Sequence, residues 1–201
     1  MDRKLIFEAV KNGDLEAVKL LINKGANVNE KTETAFTPLH IAAEECHFEI
    51  AKFLISKGAN INAKTIGGWR GGRTPLHFAA RGNCVKIADY LLSKGVKVDV
   101  KDEDGFTPLH YSALYGNQEM VEFLISKGTD VNSKTNLNSS VYWTPLHFAV
   151  EEGHKEIALI LVSHGADIYS ADKKGKTALD YAKEKGLTDL IEKILEAVKQ
   201  K

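Results

Sequence analysis

The sequence predicts an all-α fold, a solenoid in which short helix-turn-helix units stack in series. Two recurring phrases carry this prediction. The tetrapeptide Thr-Pro-Leu-His begins at Thr37, Thr74, Thr107 and Thr144, and a degenerate Thr-Ala-Leu-Asp begins at Thr177. The intervals between these starts are 37, 33, 37 and 33 residues, and a fixed period of about 20–50 residues is typical of repeat architectures. A second phrase, such as LISKGANIN, occurs five times in step with the first, so the chain contains six units.

Each unit is predicted to form two short helices. Thr37 is a good N-cap residue, and Pro38 fits the first helical turn. A second helix, HFEIAKFLISK, carries apolar residues at helical spacing and ends at Gly58, a C′ residue able to take positive φ. Neither helix is long enough to be stable alone, so each unit has to bury its apolar face against its neighbours.

The stretch GFTPLHYSALYGNQEMVEFLISKGTDVNSK, residues 105–134, resembles an ankyrin repeat, and so do the other units. The resemblance covers almost the whole chain. It implies paired antiparallel helices stacked side by side, with β-hairpin-like loops projecting from one edge. We therefore expect a single ankyrin-repeat domain over residues 1–201. The predicted units are an N-terminal cap at 1–31, full repeats at 32–63, 64–100, 101–133 and 134–170, and a C-terminal cap at 171–201.

The composition bears on partners and compartment. Lys plus Arg and Asp plus Glu cancel at 27 each, so no excess positive charge is present to drive binding to nucleic acid or to an anionic membrane. No apolar run matches a signal peptide or the roughly 18 residues of a membrane span. Only Cys46 and Cys84 are present, which is no disulfide framework. We expect a reduced, monomeric protein, cytoplasmic or otherwise intracellular, with export into a host cell left open.

Seven histidines and two cysteines raise the alternative of a metal-dependent or nucleophilic enzyme. Four of the histidines end the Thr-Pro-Leu-His phrases, and the ankyrin pattern implies that they hydrogen-bond near the helix start and to the adjacent repeat. Cys46, His47 and Cys84 are candidates to converge as a zinc site or a disulfide, although their spacing matches no zinc motif. Cys46 also takes a turn position held elsewhere by Gly116 and Gly153, where we expect mild strain or an altered turn. No phosphate loop or nucleophile elbow is present, so we predict no catalytic, cofactor or metal residues.

Two loops are four residues longer than their equivalents. IGGWRGGR (66–73) and NLNSSVYW (136–143) each place eight residues before Thr-Pro-Leu-His, where the other units have four. They lie 70 residues apart, the length of two units, which indicates a duplicated two-unit block. They share no aligned residue, and they carry both tryptophans, Trp69 and Trp143. At roughly 10 Å per packed helix layer the two tips would stand about 20 Å apart.

The long hairpins and the groove beside them are predicted to bind a protein partner, because aromatic residues and arginine are enriched at binding hot spots. In the last turn of the first helix, where the second unit has Glu44 and Glu45, the fourth unit has Leu114 and Tyr115. The aromatic residues nearby are predicted to form a groove floor. The predicted partner-binding residues are Trp69, Arg70, Arg73, Phe78, Arg81, Phe106, Tyr111, Leu114, Tyr115, Tyr142, Trp143 and Phe148.

Two structural alternatives stand beside that prediction. The first is that Trp69 and Trp143 pack on neighbouring hairpins, and the second is that Tyr115 is partly covered by the loop after it. At the level of function, the prediction is non-covalent protein recognition without catalysis. The rivals are an architectural spacer or fragment of a larger multidomain protein, and an enzyme that uses the histidines.

Overall fold

The computed structural model describes residues 4–67, 71–136 and 141–199, so the predicted site residues Trp69 and Arg70 lie outside the described residues. Every regular element in these ranges is a helix, and none of the helices is long and apolar enough to cross a membrane. The twelve helices of the described residues are α1 (Lys4–Lys11), α2 (Leu15–Asn23), α3 (Pro38–Glu44), α4 (Phe48–Ser56), α5 (Pro75–Arg81), α6 (Val85–Ser93), α7 (Pro108–Tyr115), α8 (Gln118–Ser126), α9 (Pro145–Glu151), α10 (Lys155–Ser163), α11 (Ala178–Glu184) and α12 (Thr188–Lys199).

The helices pair as predicted and divide between two compact units, Met1–Glu103 and Asp104–Lys201. In the first unit α3 packs between α1 and α5, and α4 packs between α2 and α6. In the second unit α9 packs between α7 and α11, and α10 packs between α8 and α12. Each unit therefore holds three helix-turn-helix repeats stacked in chain order, which confirms the predicted fold class. The prediction of one domain over 1–201 stays a prediction.

Small residues set the close packing of the first helix of each repeat. In α3 the fully buried residues include Leu39, Ala42 and Ala43, and α5 and α9 bury the same pattern of one leucine and two small residues. Alanine adds little bulk, so the neighbouring helix approaches closely, while each buried leucine contributes about 1.5–3 kcal/mol of apolar burial. The predicted N-caps are also present, since the four prolines of the tetrapeptides each occupy the first helical turn.

The turn inside the second repeat has the backbone strain expected at Cys46. This residue has a φ of 59°, in the left-handed region, and Asn83 at the same place in the next repeat has a φ of 58°. Gly116 and Gly153 take φ values of 75° and 77° there without a Cβ to clash. The turn is therefore a shared backbone feature, and Cys46 adopts it at a steric cost that glycine avoids.

The two cysteines form a disulfide, with a Cα–Cα distance of 5.0 Å across a sequence separation of 38 residues. This corrects the prediction of a reduced protein without disulfides and decides against the zinc alternative. The reason is the repeat stacking, because it brings the turn after α3 into register with the residue that precedes α6. Among the described residues no group of three or more His, Cys, Asp or Glu is placed to hold a metal ion.

Candidate partner-binding surface

Both long loops are hairpins closed by the same pair of hydrogen bonds at their base. The Thr65 amide donates to the Arg73 carbonyl (3.0 Å), and the Arg73 amide donates to Thr65 Oγ1 (3.1 Å). Thr135 and Trp143 make the equivalent bonds at 3.0 and 2.9 Å. In a short loop the same closure joins Thr32 and Phe36. The base of the hairpin is therefore unchanged, and in the sequence the four extra residues fall between its two closing residues.

Neighbouring hairpins are joined by backbone hydrogen bonds that also repeat at 70 residues. The Ile66 amide donates to the Thr34 carbonyl at 2.9 Å, and the Asn136 amide donates to the Asp104 carbonyl at 2.7 Å. This equivalence supports the duplicated two-unit block inferred from the spacing. The described hairpins contain no strand, and their only bridge of β type joins Ala171 and Thr177. The β-hairpin character implied by the resemblance is thus reduced to a few hydrogen bonds at the base of each described hairpin.

Trp143 packs on the neighbouring hairpin, as the structural alternative predicted. Its half-buried ring contacts Phe148 and Tyr181 edge-on, with centroid distances of 5.0 and 5.1 Å. Its Nε1–H donates to Asp172 Oδ2 at 3.3 Å. The indole is therefore held from both sides by groups of its own unit, and little of it is left for a partner.

Asp172 organises the hairpin of the last repeat and was not among the predicted site residues. Its carboxylate accepts hydrogen bonds from the Tyr181 hydroxyl (2.6 Å), from Trp143, and from the backbone amides of Lys174 (2.7 Å) and Lys176 (2.9 Å). Burial alone would raise the pKa of Asp172, but these bonds outweigh it and lower the pKa to about 2. Burial, followed by the bond to Asp172, raises the pKa of Tyr181 to about 12. The sequence contains one signal for the role of Asp172: every hairpin has Thr or Asp at the position equivalent to residue 172.

Tyr142 occupies a backbone position that three other hairpins give to glycine. Its φ is 57°, in the left-handed region, where Gly72, Gly105 and Gly175 stand at the equivalent place. A bulky residue with positive φ is an outlier that costs about 1–2 kcal/mol. The residue is half-buried, as Trp143 is, and the Lys134 ammonium lies 4.7 Å from the centroid of its ring. Strained backbone of this kind clusters at sites that bind ligands or partners, so Tyr142 is a candidate contact residue.

The two arginines of the described residues that were predicted to bind a partner are both engaged within the first unit. The guanidinium of Arg73 lies 4.9 Å from the centroid of the Phe78 ring, so it stacks on an aromatic face. Arg81 forms a salt bridge with Glu44 at 2.8 Å across adjacent repeats. Both side chains remain partly exposed.

The expected aromatic groove floor requires a correction. The side chains of Phe78, Phe106, Tyr111 and Phe148 are only 1–4% exposed. In the second unit Phe106 packs on both Tyr111 and Phe148, with centroid distances of 5.6 and 5.1 Å. The rings fill the space between the small residues of stacked helices, so they belong to the core and offer a partner almost no surface.

Leu114 and Tyr115 lie in the last turn of α7, as predicted from the sequence. Tyr115 is 45% exposed, while Leu114 is half-buried. The equivalent residues of α3 and α9 are charged, and Glu45 and Glu152 are both exposed. The ring of Tyr115 is therefore an apolar feature at a position where the second and fifth repeats carry an exposed glutamate. Nearly half of Tyr115 is open to solvent.

The tetrapeptide histidines have the structural role that the resemblance implied. The Thr37 amide donates to Nδ1 of His40 (3.0 Å), which leaves Nε2–H to donate to the Arg73 carbonyl of the next repeat (3.2 Å). His110 and His147 make the same link to the carbonyls of Trp143 (3.1 Å) and Lys176 (3.3 Å). Burial lowers the pKa of His40 to about 4 and also lowers that of His147. These imidazoles are neutral bridges between repeats, with both ring nitrogens engaged.

Together, stacked helix-turn-helix repeats, hairpins joined edge to edge and histidine bridges define a repeat protein of the kind that presents loops and helix ends as a surface. An ankyrin-repeat family model matches three times, at residues 2–65, 67–135 and 133–201. The chain belongs to the ankyrin-repeat family.

Two curated relatives are proteins called protein phosphatase 1 regulatory subunit 27. The mouse protein is 47% identical over 45 residues, and the human protein is 44% identical over 45 residues. Each alignment covers 22% of this chain and 29% of the relative. The chain thus matches less than a third of the length of either relative.

Proposed function

We propose that this protein is a non-catalytic recognition module that binds another protein through its second unit. The contact residues are Leu114 and Tyr115 at the end of α7, together with Tyr142 on the long hairpin; we refer to these three as the tyrosine surface. The observation that carries the proposal is the 45% exposure of Tyr115 at a position where the second and fifth repeats have glutamate. The tyrosine ring supplies a large apolar contact, and its hydroxyl can hydrogen-bond to water when no partner is bound. Tyrosine therefore suits a surface that is exposed in the free protein and buried in a complex.

The strain at Tyr142 supports the same surface. The hairpin carries a tyrosine at a left-handed position where glycine would be unstrained, and the residue is only half-buried. A residue that lowers stability without filling the core is retained more readily where it makes a contact with a partner. The four buried rings are no longer part of the proposed site, and Trp143 serves to hold the hairpin that carries Tyr142.

The long hairpin of the first unit extends the proposal. Trp69 and Arg70 fall between Thr65 and Arg73, whose hydrogen bonds close the base of the hairpin. We propose that they add a second contact, with the partly exposed Arg73 and Arg81 as charged neighbours. The substitution Trp69→Ala tests this contact separately from the tyrosine surface.

The test compares a double variant with a single control variant by affinity capture from a lysate of the source cells, followed by titration of the captured partner in purified form. Tyr115→Ala combined with Tyr142→Gly should weaken binding by about 30-fold or more, the effect of losing a hot-spot residue. The matched control is Tyr169→Ala, because Tyr169 is 72% exposed but lies outside the proposed surface. Equal loss in both variants would contradict the proposed location. Absence of any selective partner would favour the architectural spacer.

The relatives support the class of activity, not a particular partner. Their name describes a regulatory subunit, which agrees with a role exerted by binding. The aligned stretch is 45 residues long, little more than one repeat, and a repeat unit supplies the scaffold on which different surfaces are built. We therefore propose no phosphatase as the partner. Assay of the purified protein for hydrolase activity, with and without added divalent metal, tests the non-catalytic part.

An intracellular, monomeric state is part of the same proposal. The composition supports the compartment, since two cysteines in 201 residues are far fewer than disulfide-rich secreted scaffolds carry. Cell fractionation tests the compartment, and sedimentation equilibrium tests the monomer. Recovery of the protein from the secreted fraction of its source cells would contradict the first expectation.

A further inference from the structure

Two junctions between adjacent repeats are closed by a histidine that lies over a glycine. The Nε2–H of His47 donates to the Lys11 carbonyl at 3.3 Å, and a Cβ added at Gly13 would lie 2.8 Å from the imidazole. In the second unit His154 donates to the Leu114 carbonyl at 3.3 Å, above Gly116. In both cases the histidine directly precedes the second helix of its repeat, and the accepting carbonyl lies two residues before the glycine.

The junction between the second and third repeats has the same register but different chemistry. Cys46 stands at the glycine position, and Cys84 stands at the histidine position directly before α6. The Cys84 sulfur lies 3.5 Å from the carbonyl of Glu44, which is again two residues before the turn residue. A sulfur pair thus replaces the imidazole and the glycine. The Cα atoms are 5.0 Å apart, within the range of about 4.4–6.8 Å that a disulfide spans.

We propose that Cys46 and Cys84 form a thiol–disulfide exchange site that opens and closes a covalent link between the second and third repeats. The inference is independent of the tyrosine surface, because it concerns the first unit alone. Access is asymmetric, since Cys46 is exposed while Cys84 is only 4% exposed. An incoming thiolate therefore reaches the sulfur of Cys46, and Cys84 is the leaving group.

A dithiol serves as the two-electron reductant in the exchange. Its thiolate attacks Cys46 Sγ, a new S–S bond forms there, and the Cys46–Cys84 bond breaks. Cys84 leaves as a thiolate and takes a proton from water. The second thiol of the reductant then displaces Cys46, so the dithiol leaves as a cyclic disulfide and the protein holds two thiols. The reverse sequence, with a disulfide as oxidant, closes the link.

The reduced junction keeps a non-covalent contact in place of the bond. The Cys84 thiol then donates to the Glu44 carbonyl, as the histidines do to the equivalent carbonyls of the other two junctions. Glu44 also forms the salt bridge with Arg81 through its side chain. The exchange site is therefore adjacent to this charged pair at the end of α3. Reduction should loosen this junction without unfolding the repeats.

The first experiment counts thiols. The whole protein is treated with oxidised dithiothreitol or with reduced dithiothreitol, then alkylated under denaturing conditions and weighed by intact mass spectrometry. We expect no adduct after oxidation and two adducts after reduction. When the reduced protein is alkylated in its native state, Cys46 should react at least about 10-fold faster than Cys84. Two adducts after oxidation, or equal rates at the two cysteines, would overturn the proposal.

The second experiment uses a control that the chain itself suggests. The double variant Cys46→Gly with Cys84→His rebuilds the glycine–histidine junction seen in the same unit at Gly13 and His47. Reduction should lower the Tm of the wild type by about 5–15 °C and leave that of the double variant unchanged. The single variant Cys84→Ser, which keeps a donor for Glu44, should also show no response to reductant. A wild-type Tm that does not respond to reductant would overturn the covalent link.

Discussion

Acid should weaken this protein well above the pH at which its carboxylates are protonated, because His40 has to stay neutral in the fold. The imidazole is fully buried, and its Nδ1 accepts the Thr37 amide at 3.0 Å. The remaining proton is on Nε2, which donates to the Arg73 carbonyl. A proton added to Nδ1 would point at the Thr37 N–H group and break that hydrogen bond. Burial also disfavours the positively charged imidazolium. The pKa of His40 is accordingly lowered from 6.5 to about 4.

The size and the direction of the effect follow from that difference in pKa. The unfolded chain binds a proton at His40 near pH 6.5, while the folded chain resists it until about pH 4. The stabilising contribution is therefore complete above pH 6.5 and is lost as the pH falls towards 4. At 1.36 kcal/mol per unit of pKa the full loss is roughly 3 kcal/mol, of which about 2 kcal/mol is lost by pH 5. His147 adds to the effect, since its pKa is lowered in the same direction.

The assay is urea unfolding followed by circular dichroism at pH 7.5, 6.5, 5.5 and 5.0, together with an NMR titration of the imidazole Cε1–H resonances. The free energy of unfolding should fall along that series, and the His40 resonance should not titrate above pH 5. The variant His40→Asp is a matched control, because Asp180 already takes this place in the last repeat and accepts the Thr177 amide at 2.8 Å. The His40→Asp variant should be less stable than the wild type at pH 7.5. Between pH 7.5 and pH 5, however, its free energy of unfolding should fall by about 2 kcal/mol less than that of the wild type. A His40 resonance that titrates near pH 6.5 in the folded protein would refute the reasoning.

Four substitutions in the second unit distinguish the contributions of core, hairpin and surface residues to the free energy of unfolding. Each variant is measured by urea unfolding at pH 7.5. Tyr142→Gly should raise the free energy of unfolding by about 0.5–1 kcal/mol, because glycine removes the left-handed strain and part of the gain is offset by its freedom in the unfolded chain. Trp143→Phe keeps the edge-on ring contacts but removes the N–H bond to the Asp172 carboxylate, so it should cost about 1.5–3 kcal/mol. Tyr111→Ala should cost about 3–5 kcal/mol, since the side chain is fully buried. Tyr115→Ala should stay within about 0.5 kcal/mol of the wild type, since nearly half of the residue is exposed.

The contrast between Tyr111 and Tyr115 is the internal control of that series. Both tyrosines lie on α7, so a difference of several kcal/mol between their alanine variants reports burial and not helix propensity. Similar costs at the two positions would mean that Tyr115 is part of the core, which would remove the basis of the proposed surface. A loss of stability in Tyr142→Gly would show that the ring packs, and the strain argument would fail.

The repeat architecture was predictable because its causes are local. Thr37 and Pro38 start a helix by satisfying backbone groups within one turn, and Gly58 ends one by taking positive φ. These requirements recur in the four full repeats, so the fixed period reveals them directly. The four-residue insertions were visible for the same reason, since the closing bonds at Thr65 and Thr135 keep the frame constant on both sides.

The candidate site was predicted only in part, because exposure depends on neighbours that are distant in sequence. Leu114 and Tyr115 were identified by comparing one repeat with the others, and Tyr115 does lie on the surface. Tyr111, four residues earlier on the same helix, is buried against the ring of Phe106, and its residue type is the same. Composition therefore indicated aromatic contacts without showing which rings face the core.

The sequence by itself determined the number of repeats, the helix starts and turns, and the length of each hairpin, because these are set by contacts within about ten residues. Only the tertiary structure decided that Trp143 bonds to Asp172, 29 residues away, and that Cys46 meets Cys84 across 38 residues. Each of these pairs belongs to two adjacent repeats. The period shows that the repeats stack, but the atoms that touch at each junction depend on the packing of side chains that differ from one repeat to the next.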